Sequence, residues 1–211
     1  MYFMGKLRKL TSFLEKGTYI CYDKNKINLK SNTMKITKTK FPEGSVLSRE
    51  ETGFDYTDSF QGEVLDNQGN ISTAEISKAF FTSTPQWGKK MFAFRNSIVK
   101  MFGLKTGTDN SKPLTSDNFN LKVGEQVGIF KVFDQTNNEI ILGENDKHLD
   151  FRVSILYDKA SGNKGNFLTI STTVKYHNWM GILYFLPVRP FHQLIVPVML
   201  KKMIGKLESK S

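Results

Sequence analysis

A chain of 211 residues with an apolar share of 39% and an aromatic share of 12% is long enough to bury its own core, which excludes a disordered polar chain. One cysteine, Cys21, excludes an internal disulfide and fits a reducing compartment, so a cytoplasmic location is expected. The net charge of +10 is not a nucleic-acid signature: half the surplus sits in residues 1–33, the rest is scattered lysine, and no basic run is interleaved with aromatics.

Residues 1–17 place Phe3, Leu7, Leu10, Phe13 and Leu14 on one helical stripe bordered by Lys6, Arg8, Lys9 and Lys16. That pattern suits a basic amphipathic helix on an anionic membrane surface, and it lacks the apolar core of a secretory signal. Residues 18–33 read as polar and patternless. Met34 then opens a patterned stretch and is an alternative start, so residues 1–33 form an expected N-terminal extension with few core contacts and residues 34–211 a single domain.

Residues 41–53, with Pro42, Gly44 and Gly53, read as an entry loop. Phe54 to Phe60 alternates and forms a first strand, with Phe54, Tyr56, Asp58 and Phe60 on one face. Thr73 is the expected N-cap of a short helix through about Phe81. A second helix, Gln86 to about Phe102, carries Trp87, Met91, Phe94, Ile98 and Met101 at steps of three and four, and Gly103 stops it. Residues 105–120 form a polar loop.

From Gly128 the pattern turns to strands separated by Asn, Gly and Asp turns: 128–134, 139–144, 148–156, 167–177 and 181–186. Short connections make antiparallel neighbours, hence a five-strand meander. Within it Leu149, Phe151, Val153 and Ile155 alternate with His148, Asp150, Arg152 and Ser154, a half-buried strand whose polar trio should be more exposed. Pro187 and Pro190 end the meander, and Phe191 to Leu207 reads as a final helix with Pro190 in its first turn and a kink at Pro197. The segment Ile182 to Leu200 is nearly long and apolar enough to span a bilayer, but its Arg189, His192, Gln193 and three prolines favour a strand followed by a buried helix. No integral membrane segment is expected.

The segments FDYTDSF, PQWGKKMFAFRN, FGLK, LGENDKHLDFR, HNWMGILYF and PVRPFHQLIV, spread over about Phe41 to Lys206, together resemble a bacterial family, domain-of-unknown-function family 2867. That family is placed with the START-like (birch-pollen-allergen-like, SRPBCC) helix-grip proteins. The resemblance implies an α+β fold: a curved antiparallel sheet wrapped around a long C-terminal helix, with two short helices after the first strand. Members often carry Arg after the glycine of the HN…G segment, where this chain has Ile182. Some relatives are fused to nicotinamide-dinucleotide-binding oxidoreductase-like domains, which implies an oxidoreductase partner.

Among chemistry-bearing residues, His148, Asp150 and Arg152 project from one face of one strand; a histidine oriented by a carboxylate can act as a base and an arginine can hold an oxyanion. The alternation instead gives that face to solvent or a partner subunit. His192 lies among Phe191, Met199 and Met203, where a lone histidine is more often a hydrogen-bonded core residue. Tyr184 and Trp87 read as core or cavity wall. Arg95 is the one charge inside the apolar arc of the second helix, and Asp58 is equally out of place on the first strand, so the two are expected to meet. No metal-ligand spacing, nucleophile motif or cofactor loop is visible, and no cofactor is expected. START-like relatives bind lipids, polyketides or hormones, so the expected function is binding of a small hydrophobic or amphipathic ligand in an internal cavity. The alternatives are a polyketide-cyclase or isomerase-like enzyme using a buried acid–base pair, and a peripheral membrane protein using the first helix.

Overall fold

The computed structural model describes residues 21–23, 26–28, 34–49, 53–66, 71–85, 121–159 and 165–209. The chain divides into two compact units, Met1–Met34 and Lys35–Ser211. In the first, β1 (Cys21–Asp23) pairs antiparallel with β2 (Lys26–Asn28), Tyr22 opposite Ile27. The stretch read as patternless therefore contains a hairpin, too short to show as a period of two.

The second unit holds a seven-stranded, curved antiparallel sheet. Its strands are β3 (Ile36–Lys38), β4 (Tyr56–Val64), β5 (Gln126–Val127), β6 (Phe130–Gln135), β7 (Glu139–Asn145), β8 (Leu149–Asp158) and β9 (Asn166–Tyr176). The order across the sheet is β3-β4-β9-β8-β7-β6-β5. Consecutive strands β5 to β9 form the meander, and β4 closes onto β9 with Tyr56 opposite Val174 and Asp58 opposite Thr172. The turns use the expected chemistry: Asp146 takes the His148 amide on its side chain at 3.1 Å, and Thr136 receives the Glu139 amide at 3.0 Å. A bulge between Val132 and Asp134 bends β6.

Two helices lie on the described chain. The first, α1 (Thr73–Thr82), is capped by Ser72 rather than Thr73. Ser72 and Glu75 form a reciprocal capping box, while the Thr73 hydroxyl lies 3.0 Å from the carbonyls of Thr136 and Asn137 and ties the helix to the β6–β7 turn. The second, α2, runs from Trp179 to Glu208. The stretch 181–186, expected as a fifth meander strand, is its first turns, and the helix starts well before Phe191. A six-residue apolar run has no period that separates strand from helix. Asn178 decides the matter by capping, accepting the amides of Met180 and Gly181 at 3.1 and 3.3 Å. Pro187, Pro190 and Pro197 are all interior, each removing one backbone bond, and the helix persists because its inner row is packed. The second short helix, Gln86 to about Phe102, lies outside the described residues, as does the first helix of residues 1–17.

Side chains directly opposite in antiparallel strands share a face. One face of the sheet therefore carries Tyr56, Asp58 and Phe60 of β4, Ile170, Thr172 and Val174 of β9, and Leu149, Phe151, Val153 and Ile155 of β8. On α2, Val196, Met199, Leu200, Met203, Ile204 and Leu207 are buried, and on α1 so are Ile76 and Phe80. Gly62 leaves room for Ile204 and Ile36 against the strand; a Cβ there would collide with both. The result is an α+β, helix-grip-like fold with the long C-terminal helix on the sheet.

Candidate functional site

The alternation of β4 puts Asp58 on the same face as Tyr56 and Phe60, among the core residues. Its side chain is 1% exposed. A carboxylate so desolvated needs donors. The Tyr56 hydroxyl donates to Asp58 Oδ2 at 2.6 Å, and Gln193 Nε2 donates to the Tyr56 oxygen at 3.2 Å. His192 Nε2 stands 3.4 Å from Asp58 Oδ1 and 3.0 Å from Thr172 Oγ1. A bare lone pair on that nitrogen would face a carboxylate, so the proton belongs on Nε2, where Thr172 accepts it. Asp58 Oδ1 itself is buried and accepts no hydrogen bond among the described residues. One helical turn before His192 and Gln193, the Arg189 guanidinium lies 5.2 Å from the centre of the Tyr56 ring.

Burial, reinforced by the hydrogen bond to Asp58 and by its charge, pushes the Tyr56 hydroxyl well above the usual tyrosine range; Gln193 and Arg189 oppose this more weakly. Burial also raises Tyr157, helped by its hydrogen bond to Asp66, and Tyr176, helped by the charge of Asp55. A hydroxyl whose folded pKa is raised contributes stability in full below the unfolded value of 10.0 and loses it as pH climbs through the folded value. Unfolding free energy is thus expected to fall with pH from about pH 10 upward, and Tyr56→Phe should flatten that slope while destabilising the fold at neutral pH by roughly 1–3 kcal/mol, because Asp58 loses its donor. Urea titrations at neutral and alkaline pH check both.

The other polar residues singled out in the sequence gather elsewhere. Asp150 and Arg152 lie on the opposite face of β8 from Leu149 and are half-buried; Asp150 Oδ2 sits 3.1 Å from His177 Nε2. Arg152 donates to Asn145 Oδ1 at 2.6 Å and stacks on the Phe133 ring, 3.5 Å from its centre. His148, expected to be exposed, is 6% exposed, as buried as Leu149. It precedes the strand rather than alternating with it. Its Nδ1 meets Asn178 Oδ1 at 3.0 Å, and because that oxygen already accepts two backbone amides, Nδ1 must be the donor.

This arrangement gives the HN…G segment a structural meaning. His177 donates its amide to the His148 carbonyl at 2.9 Å, Asn178 caps α2 and donates to the Lys147 carbonyl at 3.2 Å, and Gly181 brings the first helical turn against that same His148 carbonyl. A Cβ at position 181 would collide with that backbone oxygen. Gly181→Ala is expected to cost about 1–3 kcal/mol, where an ordinary helical Gly→Ala stabilises; thermal melting of the variant measures it.

Tyr184 is 7% exposed, buried in an apolar cluster with Tyr56, Leu149, Val174 and Phe185. Trp87 and Arg95 lie outside the described residues, and so does the expected meeting of Arg95 with Asp58; among the described residues the partners of Asp58 are Tyr56 and His192. Sequence reasoning missed Tyr56, Thr172, Arg189 and Gln193 as members of this cluster. Arg189, His192 and Gln193 are neighbours at helical spacing, a signal visible only once the helix is known to begin at Trp179. It also missed Glu139, 1% exposed, which accepts from the hydroxyls of Ser45, at 2.5 Å, and Ser154, and from the Val46 amide at 2.8 Å. That carboxylate fixes the short 3-10 turn Val46–Arg49 to the sheet. No group of three or more metal-ligating side chains occurs among the described residues.

No curated protein and no solved structure is significantly similar to the chain. A family described as "Protein of unknown function (DUF2867)" matches residues 51–199, from before β4 to the inner row of α2 and so across the whole Asp58 cluster. With well over half of its length matched, the chain belongs to that family.

Proposed function

We propose that the protein binds a small amphipathic ligand between the sheet and α2, with a hydrogen-bond donor on the ligand directed at Asp58. The observation that carries this reading is Asp58 Oδ1: a buried carboxylate oxygen with spare acceptor capacity, beside an apolar cluster that begins at its hydrogen-bond partner Tyr56. A buried polar atom left unsatisfied costs stability, and such atoms in native folds call for an explanation. A ligand hydroxyl supplies the missing donor, while Tyr184, Phe185 and Leu149 suit its hydrocarbon part. The START-like resemblance points to the same class of ligand.

The reading is tested by titrating the protein with a long-chain fatty alcohol and with its methyl ether, which keeps the chain and removes the donor. The alcohol should bind tighter by roughly tenfold to a hundredfold, the worth of a hydrogen bond to a charged group. Equal affinities, or an unchanged preference for the alcohol in a folded Asp58→Leu with Tyr56→Phe variant, would contradict it. A second reading, proton transfer in a cyclase or isomerase, is favoured by one specific contact, His192 Nε2 beside Asp58. In that case an oxyanion mimic such as a halogenated phenolate binds at least as well as the alcohol.

A further inference from the structure

The C-terminal helix is apolar on both sides. Its inner row is packed on the sheet and α1, yet its outer side also carries Trp179, Ile182, Leu183, Leu186, Phe191, Leu194 and Val198, all exposed. Trp179 is 69% exposed, Leu186 64% and Leu194 63%. From Trp179 to Val198 this stripe runs about 29 Å at the helical rise per residue. Isolated surface leucines are ordinary, but a contiguous apolar stripe marks an interaction surface. This helix is the one among the described residues that is long and apolar enough to cross a bilayer. It does not read as the buried helix expected from sequence, since 22% of its most apolar window is buried.

Charge selects the occupant. Arg189 flanks the stripe, Lys201 and Lys202 continue it, and all three are exposed. The helix has no acid before Glu208, and Glu208 is turned toward the sheet, accepting the Leu65 amide at 3.0 Å. A second copy packed on this face would bring rows of like charge together with no acid on the helix to pair them, whereas anionic lipid headgroups complement them. The inner row holds the helix on the sheet, an arrangement suited to resting on a bilayer surface and not to spanning it. Trp179 stands at one end, and tryptophan favours the bilayer interface. We propose that the outer face of α2 docks the protein on an anionic membrane surface. The ligand reading concerns the inner face, and the two readings share one residue, Arg189, whose guanidinium lies over Tyr56.

The test is co-sedimentation with vesicles of phosphatidylcholine alone and of phosphatidylcholine mixed with phosphatidylglycerol. The full chain should bind the mixed vesicles, bind pure phosphatidylcholine more weakly, and lose affinity as salt rises. Leu186→Asp with Leu194→Asp, both surface changes, should lower partitioning roughly tenfold or more with an unchanged circular dichroism spectrum. In a Trp87→Phe background the emission of Trp179 should shift to the blue on mixed vesicles. Overturning results are no binding to anionic vesicles, binding untouched by the double change but abolished by removing residues 1–17, or a dimer in sedimentation velocity that the double change dissociates.

Discussion

Glu139→Ala is expected to destabilise the domain by about 3 kcal/mol or more, the largest effect of any polar substitution here, because two buried hydroxyls and a half-buried amide lose their shared acceptor at once. Those donors are the Ser45 hydroxyl, the Ser154 hydroxyl and the Val46 amide. Each stranded donor costs on the order of 1–3 kcal/mol, partly offset by no longer burying a carboxylate. Glu139→Gln should fall between, since the amide keeps one acceptor for the serines but turns an N–H toward that of Val46. Adding Ser45→Ala and Ser154→Ala to Glu139→Met should recover much of the loss, because matched apolar groups leave fewer orphans. Urea denaturation ranks the four proteins. A Glu139→Ala midpoint equal to wild type would show that the turn is not held by this carboxylate.

Leu149→Ala should cost about 2–5 kcal/mol, the range for large-to-small changes in a packed core. Leu149 is 5% exposed and lies within the Tyr56, Val174, Tyr184 and Phe185 cluster at the junction of sheet and helix. Phe151 is two residues along the same face but only half-buried, at the edge of that cluster. Phe151→Ala should therefore cost less, reversing the order that side-chain size alone would give. Thermal or urea unfolding of the two variants decides it, and a larger loss at Phe151 would contradict the burial gradient along β8.

The strands from 128 to 177 were legible because each is bounded by turn residues and is either alternating or, as at Ile140 to Leu142, a short apolar run, and the register of Leu149, Phe151, Val153 and Ile155 toward the helix follows from their period of two. The helix at 179 was not legible. Ile182, Leu183, Tyr184, Phe185 and Leu186 are all apolar, whichever side of the helix they occupy, so no period emerges, and the prolines at 187, 190 and 197 argue locally against a helix that tertiary packing sustains. Reading 181–186 as a strand pushed the helix start to Phe191 and hid the spacing of Arg189, His192 and Gln193. Asp58 did stand out, as a carboxylate on an apolar face, because burial of a charge is visible from pattern alone. Its partners were not, since Tyr56 is itself an ordinary strand residue and His192 lies 134 positions away. Glu139 gave no signal for the same reason: its serines at 45 and 154 come from distant elements, and a lone Glu at the end of a turn is commonly solvated.

The most direct test of the binding reading is native mass spectrometry of gently purified full-length protein beside the double variant Asp58→Leu with Tyr56→Phe. Replacing both members of the hydrogen-bonded pair by apolar groups keeps the fold near neutral in stability, so loss of ligand can be told from loss of structure by circular dichroism of the same samples. The expected result is a lipid-sized mass on the wild-type protein, taken up from added fatty alcohol if none is retained through purification, and its absence from the folded double variant. A wild-type protein that takes up no such mass, or a double variant that carries it equally well, would contradict it.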